Sequence, residues 1–192
     1  MLYTVDFADV HRRQAAGRWD ELHAMMAEVA GKLRAAGAEA VVICANTMHL
    51  SAPAIEAATG LPVLHIADAA AEAIRAAGLS RVGLLGTRYT MEGDFYAARM
   101  CERHGLEVLV PGEADRAVVH GVIYDELTRG LTTEASREAY RGVVDRLAAR
   151  GAEGVVLGCT EIPLLIGPGD VAVPTFDTTR LHAEAGVRWA LA

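Results

Sequence analysis

Two segments of the chain have nearly the same sequence, and each leads into a cysteine. The first covers residues 37–44 and ends at Cys44, and the second covers residues 151–159 and ends at Cys159. In both, a glycine turn precedes a continuous apolar run, which is typical of a strand buried on both faces of a parallel sheet. The repeat therefore predicts two similar halves, each with a thiol where a strand ends.

The rest of the chain alternates between short apolar runs and helical patterns, which predicts an α/β fold with parallel sheets covered on both faces. We expect two similar lobes with a cleft between them. Strands are predicted at residues 2–7, 40–45, 62–66, 81–86, 106–110 and 171–176, and a further strand leads into Cys159. Helices are predicted at 19–36, 49–59, 68–77, 91–104, 115–129, 133–150 and 178–191, with Asp68 and Thr90 as N-caps. The predicted lobes are residues 1–77 plus 175–192, and residues 78–174.

Charge and composition favour a small-molecule substrate. The net charge of −7 gives no electrostatic reason to expect a nucleic-acid or anionic membrane partner. The three cysteines show no disulfide-framework spacing, which favours reduced thiols and a cytoplasmic location. The N-terminus lacks the basic and apolar regions of a signal peptide, and no apolar run approaches the roughly 18 residues of a membrane helix.

Polar side chains follow several predicted strands at the edge where ligands collect in such sheets. Thr87 and Asp177 lie at two strand ends, and each cysteine is followed by residues with hydroxyl, amide or carboxylate groups. These are Asn46 and Thr47 after Cys44, and Thr160 and Glu161 after Cys159. Their side chains, with the amides of the turns, are candidates for holding a substrate carboxylate.

A thiolate and a thiol on opposite sides of a substrate can invert a carbon that carries a weakly acidic proton. One sulfur removes the proton and the other delivers a proton to the opposite face. This requires a thiol pKa that falls toward neutrality, which a neighbouring helix N-terminus favours. The scheme needs no metal. A single cysteine at a strand end is usually a small buried apolar residue. Cys101 lies in a helical stretch without such a context, and we interpret it as structural.

At this point the chain resembles a known family, the cofactor-independent aspartate/glutamate racemases, over nearly its whole length. The matching motifs are Val41-Val42-Ile43-Cys44-Ala45-Asn46-Thr47-Met48-His49, Gly86-Thr87-Arg88-Tyr89-Thr90-Met91, Ile123-Tyr124-Asp125-Glu126-Leu127, Gly158-Cys159-Thr160-Glu161-Ile162, and Phe176-Asp177-Thr178-Thr179 with His182.

The resemblance implies an amino acid racemase that works without pyridoxal phosphate or metal, commonly as a homodimer. By that resemblance, Cys44 and Cys159 are the acid/base pair. The substrate carboxylate and amino group are bound by Asn46, Thr47 and Thr160, and Thr87 lines the other side of the cleft. The acidic or other amino acid that serves as substrate is not specified by these motifs.

Family members begin with a further strand, a glycine-rich turn and a helix, whereas this chain opens at what resembles their second strand. We therefore expect either that translation starts upstream of Met1 or that the chain is a natural remnant. Two other functions stay open. One is a related cysteine-dependent decarboxylase or cis-trans isomerase of small dicarboxylates, and the other is a non-catalytic amino-acid-binding protein.

Overall fold

The computed structural model describes all 192 residues, which form helices and short parallel strands joined by turns and loops. No helix is long and apolar enough to cross a membrane. The strands are β1 (Val41–Val42), β2 (Val63–Leu64), β3 (Arg81–Gly86), β4 (Glu107–Leu109), β5 (Gly154–Gly158) and β6 (Thr175–Asp177). The α-helices are α1 (Phe7–Ala15), α2 (Trp19–Ala35), α3 (Ala52–Thr59), α4 (Ile66–Ala76), α5 (Arg88–Glu92), α6 (Asp94–His104), α7 (Glu113–Asp125), α8 (Glu134–Ala149) and α9 (Thr178–Ala190).

The chain forms two compact units. Unit 1 contains Met1–Ile43 and Met48–His65, and unit 2 contains Cys44–Thr47 and Ile66–Ala192. The segment that starts at Cys44 therefore belongs to the same unit as Cys159. The units divide the chain at other positions than the predicted lobes, 1–77 plus 175–192 and 78–174, whose bounds remain a prediction.

Unit 2 is built on a four-stranded parallel sheet in the order β4-β3-β5-β6. Helices cover both faces because successive side chains of the central strands point in opposite directions. Leu84 and Val156 contribute to a core shared with α4 and α6, whereas Leu85, Val155 and others join a core shared with α7 and α8. The predicted α/β class with a parallel sheet is confirmed.

Unit 1 holds the shorter sheet, in which β1 and β2 pair in parallel with Val41 opposite Val63. Its core lies between helices, where Leu22 of α2 and Ile55 of α3 are fully buried. The side chain of Val42 is 41% exposed, so the outer face of this two-stranded sheet is only partly covered.

The strand predicted at residues 2–7 is wrong. Residues 1–6 form neither helix nor strand, and Leu2 is 83% exposed. The carboxylate of Asp6 accepts hydrogen bonds from the backbone N–H groups of Ala8 and Asp9 at 2.8 and 3.4 Å. An N-cap of this kind starts a helix, and the apolar run therefore ends at α1.

Two predicted N-caps are also wrong. Thr87, and not Thr90, caps the helix after β3, and the chain breaks at Gly93 into α5 and α6. A Cβ atom at Gly93 would lie 2.6 Å from the carbonyl oxygen of Tyr89, so only glycine fits at this break. Asp68 lies inside the first turn of α4, and its carboxylate bonds to Arg99 and His104 of α6.

Candidate active site

The candidate site lies at the carboxyl edge of the sheet of unit 2. Gly86 of β3 and Gly158 of β5 are register partners, so the residues that follow them, Thr87 and Cys159, leave adjacent strands at the same level. A Cβ atom at Gly158 would lie 2.7 Å from the carbonyl oxygen of Leu85. Glycine thus lets the two strand ends approach closely just before the cysteine.

A hydrogen-bond relay joins the segment after Cys44 to the strand that carries Cys159. The Asn46 Nδ2 atom donates to Thr178 Oγ1 at 3.1 Å, and that hydroxyl donates to the Leu157 carbonyl at 2.8 Å. Because Thr178 has a single hydroxyl proton, it must accept from the amide, which fixes how the Asn46 side chain points. Leu157 lies two residues before Cys159 on β5.

The relay leaves one polar atom without a partner. Asn46 is 4% exposed, and its Oδ1 atom is buried with no hydrogen-bond partner in the protein. Such an acceptor costs about 1–3 kcal/mol when it stays unpaired. A ligand with an N–H donor, such as an α-amino group, would satisfy it.

Three buried threonine hydroxyls meet beside this amide. The Thr47 hydroxyl lies 3.0 Å from that of Thr87 and 3.1 Å from that of Thr90, and the last two are 3.3 Å apart. Thr47 and Thr87 were both predicted in the site, and the structure brings them into direct contact. Thr90 was missed as a site residue, since it was interpreted only as the N-cap of the following helix.

Cys159 and Glu161 form a second pair. The Cys159 thiol donates a hydrogen bond to Glu161 Oε2 at 2.9 Å. Burial raises the pKa of Cys159 well above its ordinary value, and the charge and hydrogen bond of Glu161 raise it further. The backbone amides of Glu161 and Thr160 oppose this by donating to the sulfur, as a turn or helix start would. The expectation of a lowered thiol pKa is therefore wrong for Cys159.

The remaining predicted residues lie close to these groups along the chain. Cys44 is exposed and precedes Asn46 by two residues, so the relay at Asn46 restrains the backbone close to it. Thr160 is half-buried between the Cys159 and Glu161 pair. No group of three or more histidine, cysteine or carboxylate side chains is arranged to hold a metal ion.

A family model described as Asp/Glu/Hydantoin racemase matches residues 1–186. Among solved structures, a candidate Asp/Glu racemase from Yersinia pestis superposes with a TM-score of 0.92 at 49% identity, over 100% of this chain and 84% of that one. An aspartate racemase homologue from Pyrococcus horikoshii OT3 superposes with a TM-score of 0.84 at 33% identity, over 100% of this chain and 83% of that one.

The chain is also similar in sequence to a glutamate racemase from Synechococcus sp. strain CC9605. The two are 30% identical over 149 residues, which are 77% of this chain and 53% of that protein. The chain thus spans about half the length of this curated relative.

Proposed function

Since the chain belongs to the Asp/Glu/Hydantoin racemase family, we propose that it is an amino acid racemase of aspartate/glutamate type or broad specificity. In this proposal Cys44 and Cys159 exchange protons with the α-carbon from opposite sides, without pyridoxal phosphate. The observation that carries the proposal is the relay from Asn46 through Thr178 to Leu157, which ties the backbone next to Cys44 to the strand that carries Cys159.

The substrate's polar groups match the polar atoms around the relay. The unpartnered Asn46 Oδ1 atom is an acceptor for the α-ammonium group. The hydroxyls of Thr47 and Thr87, together with the hydroxyl of Thr160, are donors for the α-carboxylate. Holding both groups would place the α-carbon between the sulfurs.

In one direction Cys44 as thiolate removes the α-proton, and the two electrons of the C–H bond pass into the adjacent carboxylate as an enolate-like carbanion. The Cys159 thiol then gives its proton to the opposite face, which leaves Cys44 protonated and Cys159 as thiolate. The raised pKa of Cys159 suits this role, since it keeps that sulfur protonated before the reaction.

The reverse direction requires Cys159 to lose its proton first. The Glu161 carboxylate, 2.9 Å from the sulfur, is the group placed to accept it. Glu161 was predicted to bind substrate, and we propose instead that it serves as the proton partner of Cys159.

The test is exchange of the α-proton in deuterated water, followed by NMR with L- and D-aspartate and L- and D-glutamate. We expect exchange with the unmodified chain and its loss in both C44A and C159A. The matched control is C101A, which removes an exposed thiol of α6 and is expected to retain activity. Full activity in both directions with either C44A or C159A would contradict the two-thiol proposal.

We also propose that the chain acts in the cytoplasm as a homodimer on a small-molecule substrate, with neither nucleic acid nor membrane as partner. The net charge of −7 supports the last part, because phosphate-rich surfaces repel an acidic protein. Light scattering during size-exclusion chromatography tests the dimer, and a mass equal to one chain would contradict it.

A further inference from the structure

A cluster of cationic and aromatic side chains lies next to the candidate site and has no role in the proton transfers. Arg88 is the first residue of α5, directly after Thr87. His120 and Tyr124 are one turn apart on α7, with ring centroids 4.8 Å apart, and the Tyr89 ring lies 5.9 Å from that of His120. We call these four residues the Arg88 cluster.

The hydrogen bonds inside the Arg88 cluster determine which of its side-chain atoms carry protons that can be donated. The backbone N–H of Arg88 donates to His120 Nδ1 at 3.3 Å, so the neutral His120 ring carries its proton on Nε2. The guanidinium donates to the Tyr89 hydroxyl at 3.3 Å and lies 5.1 Å from the centre of that ring. The cluster thus contains a permanent positive charge and further N–H and O–H donors.

The Arg88 guanidinium bonds to the neutral phenol of Tyr89 and forms no ion pair with a carboxylate. Glu92, an acidic side chain whose charge acts on Arg88, is already engaged, since it pairs with Arg116 at 3.0 Å. A guanidinium beside phenol and imidazole donors, without an ion-pair partner, is suited to bind a carboxylate from outside the protein.

Tyr124 connects the Arg88 cluster to the reacting sulfur. Its ring packs against the same hydrophobic core as Cys159. Burial raises the pKa of the Tyr124 hydroxyl, Tyr89, Cys159 and Glu161 raise it further, and Arg88 opposes them. The Tyr124 hydroxyl therefore remains protonated at neutral pH.

We propose that Arg88, which lies beside His120 and Tyr124, selects the substrate by binding the carboxylate of an acidic side chain. This inference rests on the proposed racemase function and adds to it the residues that set specificity. An amino acid held by its α-groups near Asn46 and Thr87 would direct its side-chain carboxylate toward α5 and α7. A neutral amino acid such as alanine would leave the Arg88 guanidinium without a ligand, and we expect it to be a poorer substrate.

The experiment compares R88Q and Y124F with the unmodified chain, using aspartate and alanine as substrates. R88Q removes the charge, and Y124F removes one hydroxyl while the ring keeps its packing. We expect R88Q to lower the ratio of kcat/KM for aspartate over alanine at least tenfold, mainly through KM, because a charged hydrogen bond is lost. Y124F is expected to change the ratio in the same direction by a smaller factor. The matched control is R103Q, which removes an exposed arginine of α6 and is expected to leave the ratio unchanged.

A second measurement separates this inference from the racemase proposal. Succinate and propanoate serve as probes of binding by NMR titration, which needs no turnover. We expect R88Q to weaken succinate at least tenfold more than propanoate. If no amino acid exchanges its α-proton but this loss is observed, the racemase proposal fails and the proposed carboxylate-binding role of Arg88 stands. An equal effect of R88Q on both substrates and on both probes would overturn the proposed role of Arg88 in substrate selection.

Discussion

The Cys159 thiol donates a hydrogen bond of 2.9 Å to the Glu161 carboxylate, two residues further along the chain. A carboxylate beside a half-buried sulfur disfavours the thiolate, because two negative charges would lie next to each other away from water. The carboxylate therefore keeps the Cys159 sulfur protonated. In the proposed mechanism, Cys159 is therefore the thiol that donates a proton, and Glu161 is the residue that controls when its sulfur becomes a base.

Replacing Glu161 with glutamine should lower the pKa of Cys159, because the variant removes the negative charge that raises it. Thiolate would then form at lower pH. In a C44A C101A background, where only Cys159 can react, the alkylation rate with iodoacetamide should rise at lower pH in E161Q. The control is E102Q on the exposed surface of α6. Identical pH profiles with and without Glu161 would show that the carboxylate does not act on the sulfur.

The hydroxyl cluster predicts a specific effect of Thr90→Val. Valine keeps the shape of this fully buried side chain but removes its contacts with Thr47 and Thr87 at 3.1 and 3.3 Å. We expect unfolding to become easier by about 1 kcal/mol and the substrate KM to rise, since Thr47 and Thr87 lose a partner that orients them. T128V, which removes an exposed hydroxyl on the Tyr124 carbonyl, serves as the control. An unchanged KM in T90V would exclude an orienting role.

The close approach of the strand ends predicts that Gly158→Ala is damaging. The new Cβ atom would meet the Leu85 carbonyl at 2.7 Å and the Leu84 Cδ1 atom at 2.8 Å, so β5 must shift where it leads into Cys159. We expect a lower melting temperature and a large loss of kcat. Gly167→Ala is the matched control, because nothing lies within 4 Å of its Cβ position. Equal behaviour of the two variants would contradict the packing argument.

The ion-pair cluster on Asp68 predicts a loss of stability without a direct effect on the site. Arg99 donates to both carboxylate oxygens at 2.7 and 2.6 Å, and the His104 ring nitrogen lies 2.9 Å from one of them. In Asp68→Asn the partly buried Arg99 would lose its charge partner, which costs on the order of 1–3 kcal/mol. Urea unfolding measures the loss. Asp94→Asn, in the first turn of α6, provides the comparison, and equal stability of both variants would argue against a role for the cluster.

The local sequence was sufficient to predict an element where the apolar pattern and the turn residues indicate the same bounds. The strand at residues 81–86 was predicted with the bounds that β3 has, because an apolar run between a glycine stop and a glycine turn leaves few alternatives. By the same criteria, the apolar run at residues 2–7 does not distinguish a strand from an irregular segment. Its outcome depended on the Asp6 side chain, which caps a helix and ends the extended segment.

The site was predictable as a set of residues but not as a set of contacts. Thr47 and Thr90 are far apart in sequence, so only the tertiary fold shows that their hydroxyls meet. The raised pKa of Cys159 was missed for a similar reason. The position of Glu161 after a strand indicated a turn residue that binds substrate, whereas the direction of its side chain, toward the sulfur, is fixed by packing around the turn.

The most direct test of the two-thiol account follows the isotope at the α-carbon during the first few per cent of reaction. L-aspartate or L-glutamate carrying deuterium at that carbon is incubated with the chain in ordinary water, and the isotope content of both enantiomers is measured by mass spectrometry after chiral separation. If one sulfur removes the deuteron and the other delivers a solvent-derived proton, the D-product carries hydrogen from the first turnover while the remaining L-substrate retains deuterium. Deuterium retained in the D-product would show a single base acting on both faces and would contradict the assignment of Cys44 and Cys159 as an acid/base pair.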